Sequence, residues 1–118
     1  VSVRIEPSDV ARVVARRPYA YVVTATDDAR PHLRAVVPTW SASIAAFTVR
    51  VGSQTSTNVE RTGTVTLMWP PMAIAEQAQE FDDHTVIVDC DAKCSPNGDS
   101  FELSATPSRA VWHRPARA

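Results

Sequence analysis

Two periodicities divide the chain. Over residues 7–16, Val10, Val13 and Val14 fall at helical spacing. Ser8 or Asp9 is placed to cap this helix, Arg16 and Arg17 suit its C-terminal end, and Pro18 stops it. After Pro18 the period changes to two. Tyr19 to Thr26 is rich in β-branched and aromatic residues and predicts a strand, followed by a turn over Asp27-Asp28-Ala29-Arg30. Pro31 to Trp40 predicts a second strand, and Ser41-Ala42-Ser43 a hairpin into a third, Ile44 to Val51. Gly52-Ser53 turns the chain, and the polar run from Gln54 to Asn58 opens a short helix. Thr64 to Trp69 predicts a fourth strand, ended by Pro70-Pro71. Met72 to Asp83 reads either as a short helix on Ala73–Gln79 or as a covering loop. His84 to Cys94 predicts a fifth strand, Asn97-Gly98-Asp99 a tight turn and Ser100 to Ala105 a sixth, which Thr106 to Arg114 can extend.

Short strands at hairpin spacing with little helix predict a mainly β chain, an antiparallel barrel or sandwich. With 118 residues, it suits a single domain able to bury a core. Lys and Arg number 12 against 13 Asp and Glu, a balance that argues against a nucleic-acid partner. No apolar run approaches the roughly 18 residues of a membrane span, and the first residues lack the basic-then-apolar order of a signal peptide. The expectation is a cytoplasmic protein without a membrane partner.

Candidate chemistry is sparse. His32, His84 and His113 are far apart and have no metal-ligand neighbour at short spacing. Cys90 and Cys94 on one strand would stand roughly 13 Å apart, too far for a disulfide, and two thiols alone make a poor zinc site. Asp27-Asp28 and Asp82-Asp83 sit where turns are expected. Nucleophile elbow, Walker loop and dinucleotide fingerprint are all missing from the sequence. Reaction chemistry would therefore come from a cofactor, and no catalytic residue is nominated.

The segment VGSQTSTNVERTGTVTLMW, residues 51–69, is the most informative. A strand end, a small-residue turn and a helix start form an anion cradle, because the first helical N–H groups lack partners within the helix. The same hydroxyls can equally serve as helix caps. No Lys or Arg lies between Val51 and Glu60.

Taken with ARPHLRAVVPTW (residues 29–40), this segment resembles the pyridoxamine-phosphate-oxidase-like family, the FMN-binding split barrels. The resemblance runs from about Tyr19 to Cys94. It rests on a Y-x-x-T-x-T strand, a D-D-x-R-P-H turn, an R-x-V strand, a G-S turn into N-[VL]-x-R, a T-L-x-W strand and a late V-I-V-D-x-x-A strand. It implies a single FMN-binding split-barrel domain over residues 1–118, with an N-terminal helix in 1–17 and a six-stranded antiparallel split β-barrel in 19–114. It also implies a homodimer with FMN, or a deazaflavin, in the cleft between subunits. Carried over position by position, the cofactor site would comprise Arg34, Val36, Thr39, Ser53, Gln54, Thr55, Asn58 and Trp69. Thr39, Gln54 and Thr55 stand where relatives carry Lys or Arg. Each lost charge-assisted bond is worth on the order of 1.5–3 kcal/mol. The implied function is a flavin-dependent oxidoreductase moving hydride to or from a small substrate. Its alternative is a non-catalytic module holding flavin or haem. Pyridoxamine phosphate oxidation itself is disfavoured, because Trp112-His113-Arg114 only loosely echoes the R-x-H pattern of those enzymes.

Overall fold

The computed structural model of the chain describes residues 1–72 and 79–116. The helix considered over Ala73–Gln79 falls almost wholly outside the described residues. Eight strands form one antiparallel sheet: β1 (Ser2–Ile5), β2 (Ala20–Ala25), β3 (Pro31–Val36), β4 (Thr39–Ser41), β5 (Ala46–Val51), β6 (Thr64–Trp69), β7 (Thr85–Asn97) and β8 (Ser100–His113). Among the described residues two α-helices accompany them, α1 (Val10–Val14) and α2 (Ser53–Thr62). The mainly β antiparallel class is as expected, with eight strands in place of six.

The differences have local causes. The expected helix 7–16 divides into a 3-10 turn at Pro7–Asp9 and α1. Residues 1–17 also contribute a strand, since Ser2–Ile5 pairs with Ala110–His113 of β8. The expected strand 31–40 breaks at Val37-Pro38 into β3 and β4, because Pro38 has no N–H to give a ladder. Ala45 takes a left-handed φ of 50°, so β5 starts at Ala46 and not at Ile44. At the other end, β7 and β8 run on to meet at Gly98-Asp99, with Asn97 paired to Ser100.

The sheet runs β3-β2-β6-β7-β8-β5-β4. Its first half follows from alternation. Val22, Leu67, Val88 and Ala110 point to one face and are all at most 1% exposed, as period-two side chains require. Strand β8 serves two partners in turn on one side: Phe101–Ala105 pairs with β5, Ala110–His113 with β1. Between them a register shift opposite Asp89/Cys90 bends the strand, as an extra residue in a ladder does. The Ser108 hydroxyl donates to the Asp89 carbonyl there at 3.0 Å.

A second anchor lies at the barrel's N-terminal end. Arg17 is buried and donates to the carbonyls of Pro70 (3.1 Å), Phe81 (3.0 Å) and His84 (2.5 Å). Arg16 adds two bonds to the Asp82 carboxylate at 3.1 and 3.3 Å. Phe81 stacks on Trp112 with centroids 4.3 Å apart. Residues 79–84 thereby cover this end of the core.

Candidate functional site

Strands β3 and β4 end the sheet path and do not pair with each other, although only Val37 and Pro38 separate them in the chain. The barrel is open there. One wall is the inward face of β3, where His32, Arg34 and Val36 follow one another at period two. Facing them are Arg50 and Val51 at the end of β5, then Gly52 and the first residues of α2, Ser53, Gln54 and Thr55. The cleft has a volume of about 550 Å³, and Ser100 of β8 borders it.

Helix α2 makes this cleft electropositive. Its N-cap is Gly52, which brings no side-chain cap, and its first turn contains no acidic residue. The Ser56 N–H bonds back to the Gly52 carbonyl at 3.1 Å. The N–H groups of Ser53, Gln54 and Thr55 precede the first i→i−4 bond and carry the positive end of the helix dipole. Neither Ser53 nor Thr55 caps the helix with its hydroxyl, so the capping role open to them from sequence is not the one they play.

Two arginines add full charges. Arg34 donates one bond, from Nη1 to the Leu33 carbonyl at 2.7 Å, leaving the rest of its fork free. Among the described residues the ion pairs of arginine involve Arg4, Arg12, Arg16, Arg30 and Arg114, and neither Arg34 nor Arg50. Arg50 stands in register with Glu102 on β8 but makes no salt bridge to it. No carboxylate lines the cleft among the described residues.

His32 completes the wall. Both its ring nitrogens are shielded from solvent and have no hydrogen-bond partner. Burial, and then the neighbouring Arg34, push its pKa below the usual imidazole value, so the free ring is neutral near pH 7.

Five of the sequence-nominated residues thus meet in one cleft: Arg34, Val36, Ser53, Gln54 and Thr55. Thr39 lines an adjoining hollow of about 430 Å³ that shares Val36 and Arg50 with the cleft and includes Thr48 and Glu102. Asn58 and Trp69 lie elsewhere. Asn58 is 1% exposed, donates to Thr24 Oγ1 at 3.0 Å and accepts from Gln54 Nε2 at 2.9 Å. It therefore holds Gln54 and the helix start in place from below. Trp69 is buried in the core against Phe47, centroids 5.2 Å apart. The structure adds His32, Arg50 and Ser100. His32 was recoverable from sequence, because it shares strand parity with Arg34. Arg50 was not, since the twist at a strand end decides where its side chain turns.

The thiols take no part in this cleft. Cys90 is buried, and burial raises its pKa to about 12, where no useful thiolate exists near neutrality. Cys94 is half-buried and its pKa is also raised by burial. Among the described residues, no cluster of His, Cys, Asp and Glu could hold a metal ion, and no helix is long and apolar enough to cross a membrane.

No family model matches the chain. Two uncharacterized proteins, one of Mycobacterium bovis and one of Mycobacterium tuberculosis, are each 28% identical to it over 124 residues, covering 96% of this chain and 82% of theirs. Among solved structures it is similar to a protein of the pyridoxinephosphate oxidase family from Clostridium acetobutylicum, related to general stress protein 26. The TM-score is 0.64 at 9% identity, over 93% of this chain and 91% of that one. The fold is the pyridoxamine-phosphate-oxidase-like split barrel. Other split barrels resemble the chain as well. One is an FAD-binding protein from Mesorhizobium loti (TM-score 0.68, 8% identity, 95% and 96% covered). Another is an F420 reductase (0.62, 11%, 85% and 94%). A third is HutZ, the haem storage protein from Vibrio cholerae (0.63, 14%, 92% and 94%). At such identities the likeness is one of fold.

Proposed function

We propose that this split barrel binds a flavin nucleotide, FMN or a deazaflavin, and acts as an oxidoreductase on a small substrate. One observation carries the reading. Two arginines without carboxylate partners converge with the uncapped start of α2 on a single cleft. Arg34, Arg50, the Ser53 and Thr55 hydroxyls and the helix N–H groups would hold the phosphate. Arg50 offsets part of the charge missing at Thr39, Gln54 and Thr55. The flavin, when bound, would supply the hydride chemistry. The chain's own residues would bind and orient it, with the Val36–Thr39–Thr48 hollow adjoining the phosphate end.

A homodimer belongs to the same proposal. On the outer face of the sheet, Ala35, Tyr21, Met68, Ile87 and Val111 lie in one cross-strand row, with Leu33 43% exposed beside it. An apolar strip of this kind suits burial against a second copy.

Titration of the purified protein with FMN and with F420, followed by flavin absorbance and fluorescence, tests the reading. Arg34→Ala should weaken FMN binding roughly 10- to 150-fold, the equivalent of one charge-assisted bond. Unchanged affinity removes Arg34 from the site, and a protein that ignores both cofactors sinks the flavin reading. A haem-binding module is the second reading, favoured by the unpaired His32 imidazole in the cleft. A Soret band on haem titration, lost in His32→Ala, would put it in place of the first.

A further inference from the structure

Among the described residues, the sequence-derived site leaves out the cleft residue whose side-chain polar atoms are both shielded from solvent and unpartnered, His32. Its ring lies on the inward face of β3, in register with Thr24 of β2. The Thr24 hydroxyl already accepts from Asn58 Nδ2, and neither ring nitrogen has a partner among the described residues. A shielded, unpartnered imidazole costs free energy. The charged and dipolar groups of the cleft that His32 lines are all positive: two guanidinium groups and the start of α2.

We propose that His32 is an anion-binding residue of this cleft, donating from its ring to the bound phosphate or like oxyanion and taking up a proton as the anion binds. The proposal rests on the anion-cradle part of the functional reading above, and not on the ligand being a flavin. The charged groups that line the cleft with the ring are Arg34 of its own strand, which acts on it directly, and Arg50 of β5. The remaining elements around the cleft present Thr24, Ser53, Gln54, Thr55 and Ser100, none of which titrates near neutrality.

The linkage follows from those charges. In the free protein, burial and Arg34 hold the ring neutral. A bound dianion offsets both arginines and accepts a hydrogen bond from the ring, which favours the imidazolium. The bound-state pKa then lies above the free-state pKa. Affinity for the anion rises as pH falls through the bound-state value and levels off below the free-state value. Each unit by which the anion lifts the pKa is a tenfold gain in affinity. His84 and His113 lie outside the cleft, bonded to Asp83 and Ser2.

Sulfate is the probe, because it remains a dianion across the range in which His titrates, whereas a phosphate monoester does not. Calorimetry in two buffers of different ionisation heat should show proton uptake on sulfate binding near neutrality. Affinity should rise at least tenfold between pH 8 and about pH 5.5. NMR titration of the His32 ring in the wild-type protein should show its pKa raised by sulfate. His32→Gln keeps a donor without a titration, and should bind sulfate with a flat pH profile and no proton uptake.

A pH-independent wild-type affinity, a slope retained in His32→Gln, or an unmoved ring pKa would each overturn the proposal. So would a failure of sulfate to bind at all. FMN binding alongside a flat sulfate profile leaves the flavin reading standing without His32. Proton-linked sulfate binding in a protein that ignores FMN and F420 leaves His32 standing and removes the flavin.

Discussion

Asn58 supports the site from inside the fold, and its removal should appear first in stability. The side chain is 1% exposed. It joins α2 to β2 through Thr24 Oγ1 at 3.0 Å and restrains Gln54 through a 2.9 Å bond. Asn58→Ala loses a net hydrogen bond of about 1 kcal/mol and leaves the buried Thr24 hydroxyl with desolvation unreturned, roughly 1–3 kcal/mol more. The expected destabilisation is about 2–4 kcal/mol. With an unfolding entropy of about 2.1 cal/mol/K per residue over 118 residues, the melting temperature should fall by roughly 8–16 °C. Calorimetry or far-UV circular dichroism on Asn58→Ala measures it, with urea unfolding as the check. Thr24→Val removes the other partner while keeping its shape, so the double variant should cost less than the sum of the singles. A melting temperature within 2 °C of wild type, or strictly additive singles, would refute the claim that this pair fastens the helix.

Two further predictions concern the other end of the barrel. Arg17→Met should destabilise the protein by about 3–5 kcal/mol in urea unfolding, since three carbonyls lose a buried charged donor at once. A loss below 1 kcal/mol would show that water replaces it. Asp82 has its pKa held below the usual carboxylate value by hydrogen bonds from Arg16 and from the Gln79 N–H. Its contribution is therefore present above the unfolded pKa near 4 and is lost as pH falls through the lower folded value. Asp82→Asn should flatten the acid limb of a stability–pH profile, and an unchanged limb would assign that limb to other groups.

The parts of the fold that were legible in the sequence are those where local pattern and final environment agree. Alternation in β2, β6 and the first half of β7 matches burial nearly residue by residue, because both flanks of these strands are paired and one face is core. Strand β1 was not legible. Four residues with three exposed side chains show no pattern, and what makes them a strand is β8, more than a hundred residues away in sequence. The division of β3 from β4 was signalled by Pro38, but alternation on both sides hid it. At the site, strand parity already grouped Arg34 with Val36, and the glycine turn marked the start of α2. Asn58 and Trp69 share motifs with the cleft residues, yet one is drawn inward by the Thr24 hydroxyl and the other by the aromatic core. A linear motif does not report such depth.

The two-partner arrangement of β8 bears on synthesis. Its first half holds β5, which delivers Arg50 and leads into α2, and its second half holds β1. A nascent chain still lacking β8 has no partner for β1 and an unpaired flank on β5 and on most of β7. Long-range pairing of this sort is slow and leaves strand edges exposed until it forms. The cleft between β3, β5 and α2 is accordingly assembled only once β8 has left the ribosome. Ligand binding at the proposed site then follows the pairing of β8, and truncation into β8 should abolish it together with folding.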